Sequence, residues 1–308
     1  MQRRVGSEGA TLGLATGSMG DPELAATLAA TAEELGYSTI WVADDPPGHR
    51  VGVAAAMLQA TTAIRVGIGP IAWDPSRAKA LAARLAAGEG IPNRMALVLE
   101  EPDSAAHPEP ELRSALSQIR DALGGACTLG VSALGEQMCR FGGEVADLVF
   151  LDWMTPERIA WARRHIDESA KRRAGDLGRG PQVVGCVRVA FGPSAAACLG
   201  AEAAAYRSRA RYAESFSAMG SAAVGIAAID PPQAHVLAER YKSLLDETVI
   251  RPVATLPAAA SPTLDEVFEA LSVILEIAHA FAPAPELGRS ETAGPPTSPR
   301  WPPPYPAP

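Results

Sequence analysis

The chain has 308 residues, of which 47% are hydrophobic but only 5% aromatic, so a sizeable core can form and must be built mostly from Ala, Val, Leu and Ile. Its formal charge of −8, with no basic stripe carrying interleaved aromatics, argues against a nucleic-acid partner and for a soluble cytoplasmic protein. There is no uncharged apolar run of about 18 residues, and the N-terminal MQRRVGSEGA has no apolar stretch, so neither a membrane span nor a secretory signal is expected.

In chain order, residues 1–10 read as a flexible N-terminus. Strand TLGLAT (11–16) leads into a helix from Asp21-Pro22 to Gly36, and STIWVA (38–43) into a helix near 51–62. IRVGIGPI (64–71) precedes a helix from Asp74-Pro75 to about Ala87, and MALVLE (95–100) one near 109–123. ACTLGVS (126–132) is followed by a short helix near 134–141, and DLVFL (147–151) by a helix from Thr155-Pro156 to about Ala174. QVVGCVRVA (182–190) leads to helices near 194–218 and 231–246, and TVIRPVA (248–254) to a last helix near 263–281. From about residue 283 the chain turns proline-rich, and 283–308 reads as a disordered or polyproline II tail, a passive extension or one whose PPPYP suits a WW-type groove.

Continuous apolar strands alternating with amphipathic helices suit a parallel sheet covered on both faces. Several helices open on a capping side chain followed by proline: Asp21-Pro22, Asp74-Pro75, Thr155-Pro156 and Asp230-Pro231. Thr263 with Glu266 forms a capping box. Eight βα units within 11–282 predict an α/β fold, a (β/α)8 TIM barrel. The rival, an open doubly-wound sheet, would show a glycine-rich phosphate turn after the first strand, and LATGSMGDP is only a partial match.

A barrel of this kind carries its site at the C-terminal ends of the strands. That rule points to Thr16, to Asp44 and Asp45, to Gly69 and Pro70, to Glu100, to the stretch Ser132 to Gln137, to Asp152, Trp153 and Thr155, and to Arg188 and Arg251. Histidines 49, 107, 165, 235 and 279 are scattered, without H-x-H or HExxH, so no metal is expected. The absence of G-x-S-x-G disfavours a serine hydrolase. Cys127, Cys139, Cys186 and Cys198 form no C-x-x-C pair and read as reduced core residues. In GVSALGEQMCRFGGEVADLVFLDWMTPERIAW, a strand runs straight into a helix at Gly135 and the next strand ends at the Thr155 cap. Two such helix N-termini side by side can hold one phosphate, or can be ordinary capped turns.

ELGYSTIWVADDP, ATTAIRVGIGP, ALGEQMCRFGGEVADLVFLDWMTPERIAWA, VRVAFGP and YAESFSAMG, in this order, resemble the luciferase-like flavin-dependent oxidoreductases, in particular their coenzyme F420-using actinobacterial branch. The resemblance covers about residues 11 to 281 and is most specific over 133–161. It implies a (β/α)8 barrel, usually a homodimer, with F420 or alternatively FMN at the C-terminal mouth and a small-molecule substrate above the ring. It places the cofactor phosphate near Ala133, Leu134, Gly135, Glu136 and Gln137 and near Trp153, Met154 and Thr155, with Thr16, Gly69, Pro70, Ser132, Asp152 and Arg188 around the cofactor. Hydride transfer or monooxygenation follows, with Asp44, Asp45 or Glu100 as acid or base. Three departures stand out: Asp45 where relatives often have histidine, Glu136-Gln137 where Pro-Arg or Pro-Lys is common, and Asp152 where asparagine is frequent. Strand 4 also ends in LVLEEPDS rather than a glycine-rich turn. An acid beside a phosphate is unfavourable, so the alternative is a flavin-binding or ligand-binding barrel with weak or no turnover.

Overall fold

The computed structural model describes residues 10–16, 21–42, 47–72, 83, 92–101, 109–173, 180–220, 222–253 and 264–283. Its elements are β1 Thr11–Thr16, α1 Pro22–Glu34, β2 Thr39–Val42, α2 Pro47–Gln59, β3 Arg65–Ala72, a 3-10 turn Pro92–Arg94, β4 Met95–Glu100 and α3 Glu109–Leu123. Then come β5 Thr128–Ser132, α4 Glu136–Val145, β6 Leu148–Asp152, α5 Pro156–Ala170, β7 Gln182–Phe191, α6 Ala195–Arg207 and α7 Ala210–Met219. The chain continues through β8 Ile226–Ala228, α8 Pro231–Lys242, β9 Glu247–Pro252 and α9 Leu264–Phe281.

Every strand pairing is parallel, running β1 to β7 in sequence, with β9 joining β7 back to β1. Eight strands thus close the expected (β/α)8 barrel. The ninth, β8, pairs only with the end of β7, at Val189, Ala190 and Phe191.

The twofold alternation of a strand sorts residues into two layers. On β6, Val149 and Leu151 join the belt between barrel and helices, whereas Leu148 and Phe150 fill the barrel interior with Ala15, Trp41, Ala96, Val98, Val184, Cys186 and Val249. Gly67 makes room for the Trp41 ring, which a Cβ there would overlap. The same phase carried one step further aims Glu100, Ser132, Asp152, Arg188 and Arg251 inward at the C-terminal ends. The opposite end is plugged by Glu247, fully buried, which accepts hydrogen bonds from Thr39 Oγ1, Trp41 Nε1 (3.1 Å), Arg65 Nη2 (3.2 Å) and Gln182 Nε2 (3.2 Å).

Three of the expected caps form: Asp21 accepts from Glu23 N, Thr155 from Arg158 N and Asp230 from Gln233 N. The Asp74-Pro75 start, the Thr263–Glu266 box, residues 1–9 and the tail from 284 lie outside the described residues. Some boundaries differ. Helix α2 starts at Pro47 rather than near 51, the short helix runs 136–145, and the segment expected as one helix near 194–218 is two, α6 and α7, broken at Ser208–Arg209. Strand β8 was not expected, because three residues are too few to show a period. Cys127, Cys139 and Cys186 are buried as expected, but Cys198 is exposed on the outer face of α6.

Candidate functional site

The inward residues at the C-terminal ends surround a cavity of about 80 Å³. Its floor is apolar: Trp41 and Phe150, with ring centroids 4.9 Å apart, beside Ala15. Gly69 and Pro70 form one wall, where β3 shifts register against β4 between Ile68 and Ile71 and Gly69 takes a φ of 132°. That value favours glycine, and a Cβ there would press on the Val98 carbonyl. Glu100, Asp152, Cys186, Arg188 and Arg251 supply the polar strand ends. Arg50 from α2, Tyr206 from α6, Arg209 and Tyr212 complete the lining.

Arg188 is 1% exposed and organises the polar half. Its Nη1 pairs with Asp152 Oδ1 and its Nε lies 3.5 Å from Glu202 Oε1. Its guanidinium stands 4.3 Å from the Trp153 ring centroid. Burial pulls its pKa down and the charge of Arg251 adds to that, so the two carboxylates are what make a buried cation tolerable. Glu202 is shared, lying 3.4 Å from Arg251 Nη2. Tyr212 donates its hydroxyl to Asp152 Oδ2 at 3.3 Å, and burial raises its pKa, so the phenol stays a proton donor. Arg211 pairs with Glu100, and Arg50 Nη1 donates to the Pro70 carbonyl at 2.8 Å.

Trp153 has a φ of 52°, an unfavourable region for an aromatic residue, and is 1% exposed. Tyr206 (5.1 Å) and Phe216 (5.7 Å) clamp its ring, so α6 and α7 close over this side of the mouth. Trp153 therefore packs at the rim.

The α4 and α5 N-termini form a second group. Helix α4 is uncapped by any side chain, because its N-cap is Gly135, and a Cβ at Gly135 would meet nothing within 4 Å. Glu136 is bound by Arg140 Nε at 2.9 Å, with His165 Nδ1 at 3.7 Å, which draws the acid along the helix. Gln137 donates to Glu109, and Leu134 O accepts from Arg158 Nη2 at 3.2 Å. The α5 start is more occupied: Thr155 N meets Met219 Sδ at 3.4 Å while its hydroxyl caps the helix, and Met154 is buried.

The structure thus brings Gly69, Pro70, Glu100, Asp152 and Arg188 together around one cavity. Ala133, Leu134, Gly135, Glu136, Gln137, Trp153, Met154 and Thr155 stand apart from its lining. Thr16 and Ser132, each 1% exposed at a strand end, have hydroxyls without a hydrogen-bond partner among the described residues. Asp44 and Asp45 lie outside the described residues. Asp152 is the counter-ion of Arg188, which accounts for an acid at that position. Sequence reasoning missed Trp41, Phe150 and Cys186 as lining residues, although extending the strand phase would have found them. It also missed Arg50, Glu202, Tyr206, Arg209, Arg211 and Tyr212, which helices and the α6–α7 turn supply without any local signal. Among the described residues no group of three His, Cys, Asp or Glu is placed to hold a metal, and no helix is long and apolar enough to cross a membrane.

No family model matches the chain, and no curated protein matches its sequence. Solved structures do match. An F420-dependent secondary alcohol dehydrogenase in complex with an F420-acetone adduct is 14% identical, over 88% of this chain and 99% of that one, with a TM-score of 0.61. A riboflavin lyase with modified FMN and riboflavin is 12% identical, over 89% and 93%, with a TM-score of 0.54. The monooxygenase RslO1 from Streptomyces bottropensis is 15% identical, over 88% and 98%, with a TM-score of 0.56. The likeness is one of fold. It extends along nearly the whole of each of those chains, so this barrel has the same extent as theirs.

Proposed function

We propose that the chain is a luciferase-like oxidoreductase that takes a flavin-type cofactor, F420 in preference to FMN, at the C-terminal mouth and acts on a small organic molecule by hydride transfer or monooxygenation. The observation that carries this reading is the buried Ser132 hydroxyl, aimed inward by its strand phase and without a partner among the described residues, three residues before the Gly135 start of α4. Helix N–H groups and an orphan hydroxyl favour an anionic group, and Glu136 is occupied by Arg140 rather than standing in the way. The fold neighbours whose names include F420 and FMN support the same reading.

The residues that would hold the cofactor are the Gly135–Gln137 backbone at its anionic end, and Ser132 and the Gly69-Pro70 wall nearer its ring. The cofactor supplies the redox chemistry when bound, and the protein supplies orientation and shielding. Arg188 and Arg251 give the mouth a fixed positive field, Tyr212 offers a proton, and Glu100 in its ion pair with Arg211 is a carboxylate able to accept one. A homodimer belongs to this proposal, and sedimentation equilibrium reads it directly. The decisive experiment is titration of the purified chain with F420 and with FMN, followed by absorbance and fluorescence. Micromolar binding of one of them is expected; binding of neither sinks the reading. Tight binding with no reduction or oxygenation across a substrate panel would make the chain a ligand-binding barrel instead.

A further inference from the structure

The central cavity shares its Gly69-Pro70 wall with the proposed ring site but has a chemistry of its own, apart from the α4 and α5 N-termini. Four guanidinium-bearing residues line it, Arg50, Arg188, Arg209 and Arg251, against two carboxylates, Glu100 and Asp152. Arg188 and Arg251 are 1% and 9% exposed and share Glu202 as a counter-ion, so water screens little of the net charge that remains at the cavity surface. The opposite side is the Trp41–Phe150 floor. We propose that this cavity is a binding site for a short-chain monocarboxylate, its carboxylate toward the arginines and its apolar body on the aromatic floor.

Three considerations select that class. The arginine fork matches a carboxylate in plane and spacing, and charge-assisted bonds of this kind are about twice as strong as neutral ones. The volume of about 80 Å³ sets the size. At roughly 10–15 Å³ per water-sized occupant it admits about five to eight non-hydrogen atoms, the span of butyrate or valerate. Glu100 and Asp152 offset two of the four lining guanidinium charges, and the Trp41–Phe150 side of the cavity offers no partner to a second anionic group, so the lining matches a ligand with one charged end. The inference does not rest on the cofactor reading. A chain that binds no flavin would still bind the acid, and one that binds F420 without binding the acid would leave that reading standing.

The test is calorimetric titration of the full-length chain, without cofactor, at pH 8, with butyrate, butyramide and inorganic phosphate. Saturable butyrate binding is expected, at least about tenfold tighter than butyramide and tighter than phosphate, as the loss of one charge-assisted contact implies. Arg251→Gln should weaken butyrate about tenfold or more. Because Arg251 shares Glu202 with Arg188, that change also disturbs a buried ion network, so the half-buried Arg50→Gln is the second variant, with the same direction expected. Butyramide binding as tightly as butyrate, phosphate binding more tightly, no saturable butyrate binding, or butyrate affinity unchanged in the folded variants would each overturn the proposal.

Discussion

Both ends of the barrel bury charge, and they do it differently. At the N-terminal end one carboxylate, Glu247, has its two oxygens met by four donors, and the end is shut. At the C-terminal end Arg188, Arg251, Asp152 and Glu202 form a mixed network around open volume, and at the same end Ser132 Oγ and Trp153 Nε1 have no hydrogen-bond partner among the described residues. A saturated network fixes the fold, whereas an unsaturated one around a cavity keeps its donors for something else. The same eight strands therefore form a sealed base and an open mouth.

The comparison breaks most sharply at Arg188. Arg188→Gln strands Asp152 in the interior, and we expect a loss of about 3–5 kcal/mol in urea unfolding, the usual cost of removing one partner of a buried pair. Asp152→Asn attacks the pair from the other side and should also destabilise, rather than merely ease cofactor binding. The double variant should lose less than the sum of the two, because each single change already removes the shared contact. Additive losses would mean that the two residues do not act as a pair.

Glu247→Leu should cost somewhat less, about 1–3 kcal/mol, because Arg65 is 37% exposed on its side chain and recovers water and the Trp41 indole N–H still donates to Thr39 Oγ1 at 3.1 Å, leaving mainly the Thr39 hydroxyl proton unmet. Butyrate affinity at the mouth should not move in this variant. A loss of affinity as large as that in Arg251→Gln would show that the two ends are coupled and the division proposed here is wrong.

Between pH 9 and 10 alkaline unfolding should touch neither end; above pH 10 Tyr212 at the mouth, raised by burial, joins in. Burial raises the thiols of Cys127 and Cys139 from 9.0 to about 12, and both lie in the layer between barrel and helices. Raised acids stabilise fully below the unfolded value and lose that contribution as pH climbs toward the folded one, so the window is pH 9 to 12. By pH 10 each thiol costs on the order of 1 kcal/mol. Tyr241, raised to about 12 by burial, follows from pH 10 upward. Wild type, Arg188→Gln and Glu247→Leu should therefore lose stability in parallel between pH 9 and 10, and Cys127→Ala with Cys139→Ala should flatten the curve there. Diverging curves would place the titrating groups at one of the ends.

The sequence made the base-and-mouth plan only half legible. Strand–helix rhythm, proline-marked caps and the rule about strand ends were enough to find the barrel and to name Gly69, Pro70, Glu100, Asp152 and Arg188. These signals are local, running over a few residues each. The Asp152–Arg188 pair spans 36 positions, and Glu247 meets Thr39 across 208. Nothing in ETVIRP marks its first residue as a plug. The mouth's Tyr206, Arg209, Arg211 and Tyr212 come from α6, α7 and the turn between them, where no strand-end rule applies. Their placement follows from where two helices land on the barrel rim, which depends on packing between Trp153, Tyr206 and Phe216 rather than on any spacing.

Tyr212→Phe probes that landing with the smallest change. It removes one neutral donor to Asp152 and keeps the ring that packs edge-on against Tyr206 at 5.0 Å. Asp152 retains Arg188, so no charge is stranded, and the net loss should be about 0.5–1.5 kcal/mol, read from the unfolding midpoint at constant slope. Under the proposed reading Tyr212 also donates a proton at the mouth, so turnover should fall by more than stability does, with the cofactor still bound. Equal losses in both would reduce the hydroxyl to a strut between α7 and β6. A stability loss exceeding that of Glu247→Leu would reverse the comparison and make the mouth, rather than the base, the better-saturated end of the barrel.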